Sequence, residues 1–244
     1  VQIALMPRTI TLATCQFPVS ADIRQNLSWI RMQLQVAHAR GADMAHFSEC
    51  SLSGYPGIDF EKLSDRDPVL LRESFDTIRE DARRYGLWAI IGSHHMEGGD
   101  DRPFNSLYVI NGRGEVVDRY DKRLLTGGDH GTDHQYYRPG SRPVLFEFKG
   151  ITMGMLICHE WRYPEVYRQY KKLGAEIILQ SWYDGSLSYP EYQEAGKDLG
   201  GLITGTVRGN SANNHLWISA SNTSRKESRF PAFVARPDGV IQGR

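Results

Sequence analysis

Apolar positions recur along this chain with two periods, one typical of helices and one typical of strands. A stripe spaced three or four residues apart runs through residues 22–39, and a second one ends just before Gly86. This spacing places apolar side chains on one face of a helix, and a glycine after the last apolar position is typical of a helix end. We therefore predict two amphipathic helices. Their stripes are Ile23, Leu27, Ile30, Leu34 and Ala37, closed by Gly41, and Leu71, Phe75, Ile78, Ala82 and Tyr85.

Short apolar runs rich in β-branched residues fill much of the remaining chain. We predict strands in "TITLATCQF", "MAHFSEC", "LWAIIGSHH", "AEIILQSW" and "LWISASN". Hairpins are predicted in "SLYVINGRGEVVDRYDK", in "PVLFEFKGITMGMLIC" with its turn at Lys149-Gly150, and in "FVARPDGVI". One more helix is expected to begin at Pro164 and end near Gly174, and another to cover residues 191–208. The order predicts a single α/β domain over residues 1–244, with a mixed sheet or sheets covered by helices.

Composition excludes several classes of function. The formal net charge is zero, which argues against a partner such as nucleic acid or an anionic membrane surface. No apolar segment approaches the roughly 20 residues needed to span a bilayer, and the N-terminal residues lack the pattern of a signal peptide. The three cysteines are far apart and lack CxxC spacing, which argues against a disulfide framework or a zinc knuckle. We therefore expect a cytoplasmic protein.

Three polar residues come at or just after the ends of predicted strands. Glu49 ends "MAHFSE", Lys122 follows "VVDRYD" and Cys158 follows "MGMLI". In α/β folds, chemistry collects outside strand ends. A thiol is a nucleophile, a carboxylate can take its proton and return it to a leaving amine, and an ammonium can stabilise an oxyanion. The alternative for each residue alone is a solvated charge or a packed cysteine.

The sequence segments around these residues resemble the motifs of a known family. "FSECSLSGYP" resembles the "PE-x-x-x-x-GY" segment of the nitrilase, or carbon–nitrogen hydrolase, superfamily. "RYDKRLL" resembles its "Y-x-K-x-H-L" segment, and "ICHEWRYPE" is similar to its "C-Y-D-x-R-F-P-E" segment. The three motifs occur in the family's order. The form of the third is that of amidases of the omega-amidase and deaminated-glutathione type.

This resemblance implies a fold, a mechanism and an assembly. The family's fold is α/β, a four-layer α-β-β-α sandwich, and its members form homodimers or higher homo-oligomers. By position, Glu49 is implied as general base and acid, Lys122 as oxyanion stabiliser and Cys158 as nucleophile. The backbone N–H of His159 is expected to help hold the oxyanion. No cofactor is expected.

The sequence also departs from the family pattern. Ser48 stands where the family often has proline, and Arg123, Leu124 and Leu125 follow the lysine where the amidases often read His-Leu-Phe. In "GTDHQYYRPG", Asp133 stands at the position of a second family glutamate, one methylene shorter, so its reach to Lys122 is an open question. His159 and Glu160 replace the usual Tyr-Asp. The sequence ends at "GVIQGR", and we expect the last strands that many relatives have to be missing.

Further residues carry competing interpretations. The segment "GGDHGTDH" offers Asp129, His130, Asp133 and His134 as metal ligands, although its glycines argue against a helix that would align them. The alternative is a polar loop at the mouth of the site. Arg162 is a candidate for binding a substrate carboxylate, against an ion pair with Glu160 or Glu165. Trp182 is a candidate pocket wall, against plain core packing.

These features together predict a cysteine-dependent hydrolase of a small non-peptide C–N bond. A linear carboxamide, giving an acid and ammonia through a thioester, fits the motif best. An N-carbamoyl amine hydrolase or a nitrilase with the same three residues is the near alternative. Two other classes stay open: a metal-dependent hydrolase that uses the Asp/His loop, and a non-catalytic binding protein.

Overall fold

The computed structural model describes residues 8–98, 102–127, 132–185, 187–225 and 228–243, and it contains two β-sheets. The strands of the first sheet are β1 (Leu12–Thr14), β3 (Met44–His46), β4 (Trp88–His95), β5 (Phe104–Ile110) and β6 (Val116–Asp121). Those of the second are β2 (Gln16–Phe17), β7 (Leu145–Phe148), β8 (Ile151–Ile157), β9 (Ile177–Ser181), β10 (Trp217–Thr223), β11 (Phe233–Ala235) and β12 (Ile241–Gly243).

Helices follow or precede the strands in sequence. The longer ones are α1 (Ile23–Ala39), α2 (Pro68–Tyr85), α4 (Pro164–Lys172) and α6 (Lys197–Asn214). Shorter turns of helix are α3 (Asp133–Tyr136), α5 (Tyr189–Glu191) and the 3₁₀ segments Leu63–Asp65 and Cys158–Arg162. A π-helical turn, Tyr192–Gly196, joins α5 to α6. None of the helices described is long and apolar enough to cross a membrane.

Both sheets mix parallel and antiparallel pairs. The first has the order β1-β3-β4-β5-β6, in which β1, β3 and β4 are parallel and the β4–β5–β6 pairs are antiparallel. The second has the order β12-β11-β10-β9-β8-β7, with β8, β9 and β10 parallel at its centre. The predicted hairpins at "NGRG", Lys149-Gly150 and "PDG" are confirmed as β5–β6, β7–β8 and β11–β12.

Three apolar clusters show the layering. One lies between the sheets, one joins α1 and α2 to the first sheet, and one joins α4 and α6 to the second. The α-β-β-α sandwich is therefore confirmed, since each sheet has one helical face and one face against the other sheet. Representative members are Met44, Ile90, Met155 and Leu179 between the sheets, Ile30, Ile78 and Ala89 on one outer face, and Tyr167, Val207 and Ile218 on the other.

The two predicted amphipathic helices are confirmed, and their ends follow from local chemistry. The side chain of Asp22 accepts hydrogen bonds from the first N–H groups of α1, and Asp67 does the same for α2. Pro68 occupies the first turn of α2, and Gly86 closes that helix in the left-handed conformation.

The sequence misplaced several element boundaries. The single strand predicted in "TITLATCQF" is two strands, because the chain leaves the first sheet at Cys15 and β2 then pairs with β10 of the second. The strand predicted in "MAHFSEC" ends at His46. The helix predicted over residues 191–208 runs on to Asn214, since its glycine-rich sequence has no apolar stripe that marks its end.

Candidate active site

Glu49, Lys122 and Cys158 lie close together at one end of the sandwich. Glu49 lies three residues beyond β3, Lys122 directly follows β6, and Cys158 directly follows β8. The Lys122 ammonium lies 3.0 Å from Glu49 Oε1, and both side chains are fully buried. Cys158 is partly exposed and interacts electrostatically with both residues. The structure thus brings together the three residues that the motifs single out.

The segment that carries Glu49 packs tightly on β4. The N–H of Leu52 donates to the carbonyl oxygen of Gly92, and the Gly92 N–H donates to the Ser51 hydroxyl. A Cβ at Gly92 would lie 2.6 Å from the backbone nitrogen of Cys50, so only glycine permits this approach. The close contact and these hydrogen bonds hold the segment that carries Glu49 against β4.

Lys122 is a cation held between two carboxylates. Its ammonium donates to Glu49 Oε1 at 3.0 Å, to Asp133 Oδ2 at 2.8 Å and to the Thr126 hydroxyl at 3.1 Å. Burial by itself would lower the pKa of Lys122, but the two carboxylates together raise it well above its usual value. The lysine is therefore charged, and all three of its protons are engaged.

Asp133 reaches Lys122 in spite of its shorter side chain. It begins α3 and is buried, and its Oδ2 also accepts the Thr126 N–H at 2.9 Å. Its Oδ1 accepts the Tyr55 hydroxyl at 2.6 Å. Burial opposes its ionisation, but Lys122 and these hydrogen bonds lower the pKa of Asp133 below its usual value. The geometry answers the question of reach that the sequence left open.

The two oxygens of Glu49 have different surroundings. Oε1 accepts Lys122 and the side-chain amide of Asn105, the latter at 2.7 Å. Oε2 accepts the backbone N–H of Tyr183 at 2.9 Å. Burial raises the pKa of Glu49, Lys122 opposes this, and the charge of Asp133 adds to the rise. Since Oε2 accepts fewer hydrogen bonds from described residues, it is the more basic oxygen of a carboxylate that is already a stronger base than usual.

Cys158 lies at a sharp corner between β8 and a short helix. Its φ of 39° is in the left-handed region, which is uncommon for a residue with a side chain and typical of functional corners. Burial raises the pKa of the thiol well above its ordinary value and the charge of Glu49 raises it further, while Lys122 and the Tyr183 N–H lower it. The thiol is therefore protonated at rest and needs a base to become a nucleophile.

Glu160 connects the two strand ends that carry Lys122 and Cys158. Its Oε2 accepts the N–H of Ile157 at 2.7 Å, and its Oε1 accepts the Tyr120 hydroxyl at 2.6 Å and the Arg123 N–H at 3.0 Å. The carboxylate is fully buried.

The suggested ion pairs of Arg162 are not formed. Among the described residues neither Glu160 nor Glu165 lies within salt-bridge distance of Arg162, and its guanidinium lies over the Trp161 ring at 4.7 Å from the centroid. Arg162 therefore keeps an unpaired charge on the described part of this surface.

A cavity of about 470 Å³ opens onto Cys158. Asp133, His159, Arg162 and Trp182 also line it, so the candidate supporting and substrate-binding residues face the same space as the thiol. Trp182 is buried, and its indole N–H has no hydrogen-bond partner in the described part of the chain. Burial, together with Lys122 and Arg162, lowers the pKa of His159, so its ring is neutral.

Sequence reasoning missed four contributors to the site. These are Asn105 and the Tyr183 N–H on Glu49, Thr126 on Lys122 and Tyr55 on Asp133. Tyr55 belongs to the "GY" of the first motif, so the sequence did contain a signal for this residue. Asn105 lies in an ordinary strand, and a backbone N–H leaves no mark in a sequence.

The metal-site hypothesis has no support from the described residues, which contain no group of three His, Cys, Asp or Glu side chains placed to hold an ion. Asp129 and His130 lie outside the described residues. Asp133 is committed to Lys122, Thr126 and Tyr55.

Comparison with known proteins gives the same family as the motifs. The sequence profile described as "Carbon-nitrogen hydrolase" matches residues 11–243. The glutamine-dependent NAD(+) synthetase of Aquifex aeolicus is 32% identical over 174 residues, which is 70% of this chain and 29% of that protein. The deaminated glutathione amidase of Yersinia enterocolitica is 32% identical over 181 residues, 70% of this chain and 62% of the enzyme. The chain thus matches less than two thirds of the length of either relative.

A solved structure supports the fold. An amidase from Nesterenkonia sp. superposes with a TM-score of 0.78 at 18% identity, and the match covers 98% of this chain and 87% of that one. The match to the family profile extends over nearly the whole sequence, and the two-sheet sandwich agrees with it. The chain therefore belongs to the carbon–nitrogen hydrolase family, and the predicted family, fold and enzyme class are confirmed.

Proposed function

We propose that this enzyme hydrolyses a small linear carboxamide through a thioester on Cys158, giving an acid and ammonia. The observation that carries the proposal is the buried Glu49–Lys122–Asp133 cluster beside a partly exposed thiol at a cavity. Nucleophile, base and cation have separate roles in such a reaction, and each has a matching group here.

Acylation begins with proton transfer. Oε2 of Glu49 takes the thiol proton while Cys158 Sγ attacks the amide carbon. The amide oxygen gains negative charge and is held by Lys122 and by the N–H of His159, which lies in the first helical turn and has no intrahelical acceptor. All three N–H groups of the Lys122 ammonium are hydrogen-bonded at rest. The bond to the Thr126 hydroxyl, its neutral and most distant acceptor, therefore breaks so that this N–H can donate to the oxyanion. Glu49 then gives its proton to the nitrogen, the C–N bond breaks and ammonia leaves.

Deacylation repeats the sequence with water. Glu49 takes a proton from a water molecule, whose oxygen attacks the thioester carbon, and the oxyanion forms between the same donors. The C–S bond breaks, the thiolate recovers the proton from Glu49, and the acid leaves. The raised pKa of Glu49 suits it to both roles, since a general acid–base works best when its pKa lies near the working pH.

The charges around the cavity favour an amide that carries a carboxylate. Asp133 is paired with Lys122, and the cavity-lining Arg229 is paired with Asp184, whereas Arg162 has no ion pair within the described chain. The free indole N–H of Trp182 adds a neutral donor. An anionic substrate gains from these groups, and a cationic carbamoyl amine is disfavoured by Arg162. The similarity to the deaminated glutathione amidase of Yersinia supports the amidase proposal over the carbamoyl amine hydrolase alternative.

Three further expectations stay predictions. The cysteine usage predicts a cytoplasmic location, and the family resemblance predicts a homodimer or higher homo-oligomer. The order of elements predicts a single domain. Sedimentation analysis of the purified protein tests the assembly.

The deciding experiment measures ammonia release across acidic amides, neutral amides, carbamoyl amines and nitriles, with and without a chelator. We expect turnover of acidic amides, resistance to the chelator and complete loss of turnover in Cys158→Ala with an unchanged unfolding temperature. Cys15→Ala, at a buried position between β1 and β2, is the control that should keep activity.

Other outcomes contradict the proposal. Substantial activity in Cys158→Ala excludes the thioester, and loss of activity in the chelator indicates a metal-dependent hydrolase. Stoichiometric binding of an amide without ammonia release indicates a binding protein. A peptide map of limited alkylation should show Cys158 modified before Cys15 and Cys50, because Cys158 is partly exposed and the other two thiols are buried.

A further inference from the structure

Asp59 is a buried carboxylate that lies outside all three motifs and outside the proposed catalytic group. Its side chain is 2% exposed, and it accepts hydrogen bonds from three separate segments. The donors are the Tyr55 N–H at 2.8 Å, the Tyr183 hydroxyl at 2.7 Å and the Arg225 guanidinium at 2.7 Å. Arg225 balances the charge, and this pairing together with the hydrogen bonds offsets the desolvation cost of the buried carboxylate.

Two of the donor residues, Tyr55 and Tyr183, also hydrogen-bond to carboxylates of the proposed site. The hydroxyl of Tyr55 donates to Asp133, which holds Lys122. The N–H of Tyr183 donates to Oε2 of Glu49, the oxygen assigned above as the base. The two tyrosine rings pack against each other with centroids 5.0 Å apart. Asp59 therefore accepts a hydrogen bond from each of the two tyrosines that contact Asp133 and Glu49. The donor is the backbone N–H in Tyr55 and the phenol hydroxyl in Tyr183.

We propose that Asp59 is a positioning residue that sets the basicity of Glu49 by fixing Tyr183, and that it steadies Asp133 through Tyr55. The inference rests on the proposed function, in which Glu49 is the general base. Asp59 has no described hydrogen bond to Cys158, Lys122 or Glu49, and it acts only through its neighbours.

The expected effect follows from the Tyr183 N–H. A hydrogen bond from a backbone N–H to a buried carboxylate stabilises the charged form and lowers its pKa. When Asp59 no longer fixes the phenol, Tyr183 shifts and this bond lengthens, so the pKa of Glu49 rises. Because Glu49 must be ionised to accept the thiol proton, the acidic limb of the pH profile of kcat/KM moves to higher pH.

The variants Asp59→Asn and Tyr183→Phe test this. Asp59→Asn keeps the size of the side chain but replaces one acceptor oxygen by an amide N–H₂ that faces other donors. Tyr183→Phe removes only the phenol hydroxyl and keeps the ring and the backbone N–H. In both we expect the acidic limb to rise by about one pH unit, the scale of one weakened hydrogen bond to a charged group, with kcat falling about tenfold. Asp133→Asn, which removes a negative charge near Glu49, should move the limb in the opposite direction.

Two controls separate positioning from loss of stability. Asp81→Asn removes a buried carboxylate of α2 that is paired with Arg31 of α1, and Tyr170→Phe removes a buried phenol hydroxyl that donates to the Met155 carbonyl. Both should lower the unfolding temperature and leave the pH profile in place. If the acidic limb of either folded test variant coincides with that of the wild type, the inference is wrong.

Failure of the proposed function gives a different result. In that case the wild type itself shows no thiol-dependent turnover. If Asp59→Asn does not fold, Tyr183→Phe decides the question, since it leaves the carboxylate and its bonds to Tyr55 and Arg225 in place.

Discussion

Replacing Asp133 by asparagine removes one charge from the site and almost no volume. In the wild type, Oδ2 of Asp133 accepts Lys122 and the Thr126 N–H, and Oδ1 accepts the Tyr55 hydroxyl. The asparagine oxygen can take the place of Oδ2, and its N–H₂ can donate to the Tyr55 hydroxyl, which is also an acceptor. The buried cluster of two carboxylates and one ammonium becomes neutral. We therefore expect the free energy of unfolding to change by less than about 1 kcal/mol, so that Tm shifts by less than about 2–4 °C.

The catalytic effect is much larger. At 2.8 Å, the attraction between Asp133 and Lys122 is about 6 kcal/mol for an effective dielectric constant near 20. If somewhat less than half of this orients Lys122 toward the oxyanion, turnover falls about 10²-fold, because each factor of ten corresponds to about 1.4 kcal/mol. The loss of Asp133 also removes a charge that raises the pKa of Glu49, so the acidic limb of kcat/KM should move to lower pH.

The assay is steady-state ammonia release as a function of pH, with thermal unfolding measured on the same preparations. Asp81→Asn, which also removes a buried and ion-paired carboxylate, should keep normal turnover. Near-normal kcat in Asp133→Asn would remove Asp133 from the site, and its carboxylate would then serve only to shape the loop before α3.

Three other perturbations test separate parts of the structure. Arg162→Lys should raise KM for acidic amides at least tenfold and leave neutral amides unchanged, since lysine cannot reproduce the bidentate fork; equal effects on both would refute carboxylate binding. Glu160→Gln should lower kcat about tenfold and slow alkylation of Cys158, because an amide has one acceptor oxygen for donors at two strand ends; unchanged alkylation would limit Glu160 to stability. His46 lies between Ser181 and Ser219, and burial lowers its pKa to about 3, so the unfolded chain binds the proton that the folded one excludes. Its contribution to stability is complete above about pH 6.5 and declines by ~1.4 kcal/mol per pH unit down to about pH 3, so urea unfolding of His46→Gln should depend less steeply on pH in that window.

The sequence alone determined much of the secondary structure and pointed to three candidate site residues. The apolar stripes of α1 and α2, the hairpin turns and the proline at the start of α4 are local features, because each depends on residues within one or two turns of chain. The three motifs also have short internal spacings, which is why Glu49, Lys122 and Cys158 were recognisable before any contact between them was known.

Only the tertiary structure decided how these residues work together. The division of "TITLATCQF" between two sheets depends on a pairing of β2 with β10, about 200 residues away. Two partners of Glu49 come from β5 and from the residues after β9, and two of the three partners of Asp59 lie more than 100 residues away from it in sequence. Such bonds follow from how the sheets and loops meet, and several of them use backbone N–H groups that every residue but proline carries. A sequence can therefore reveal which side chains are chemically able to act, whereas burial and long-range hydrogen bonds determine their charges and their roles.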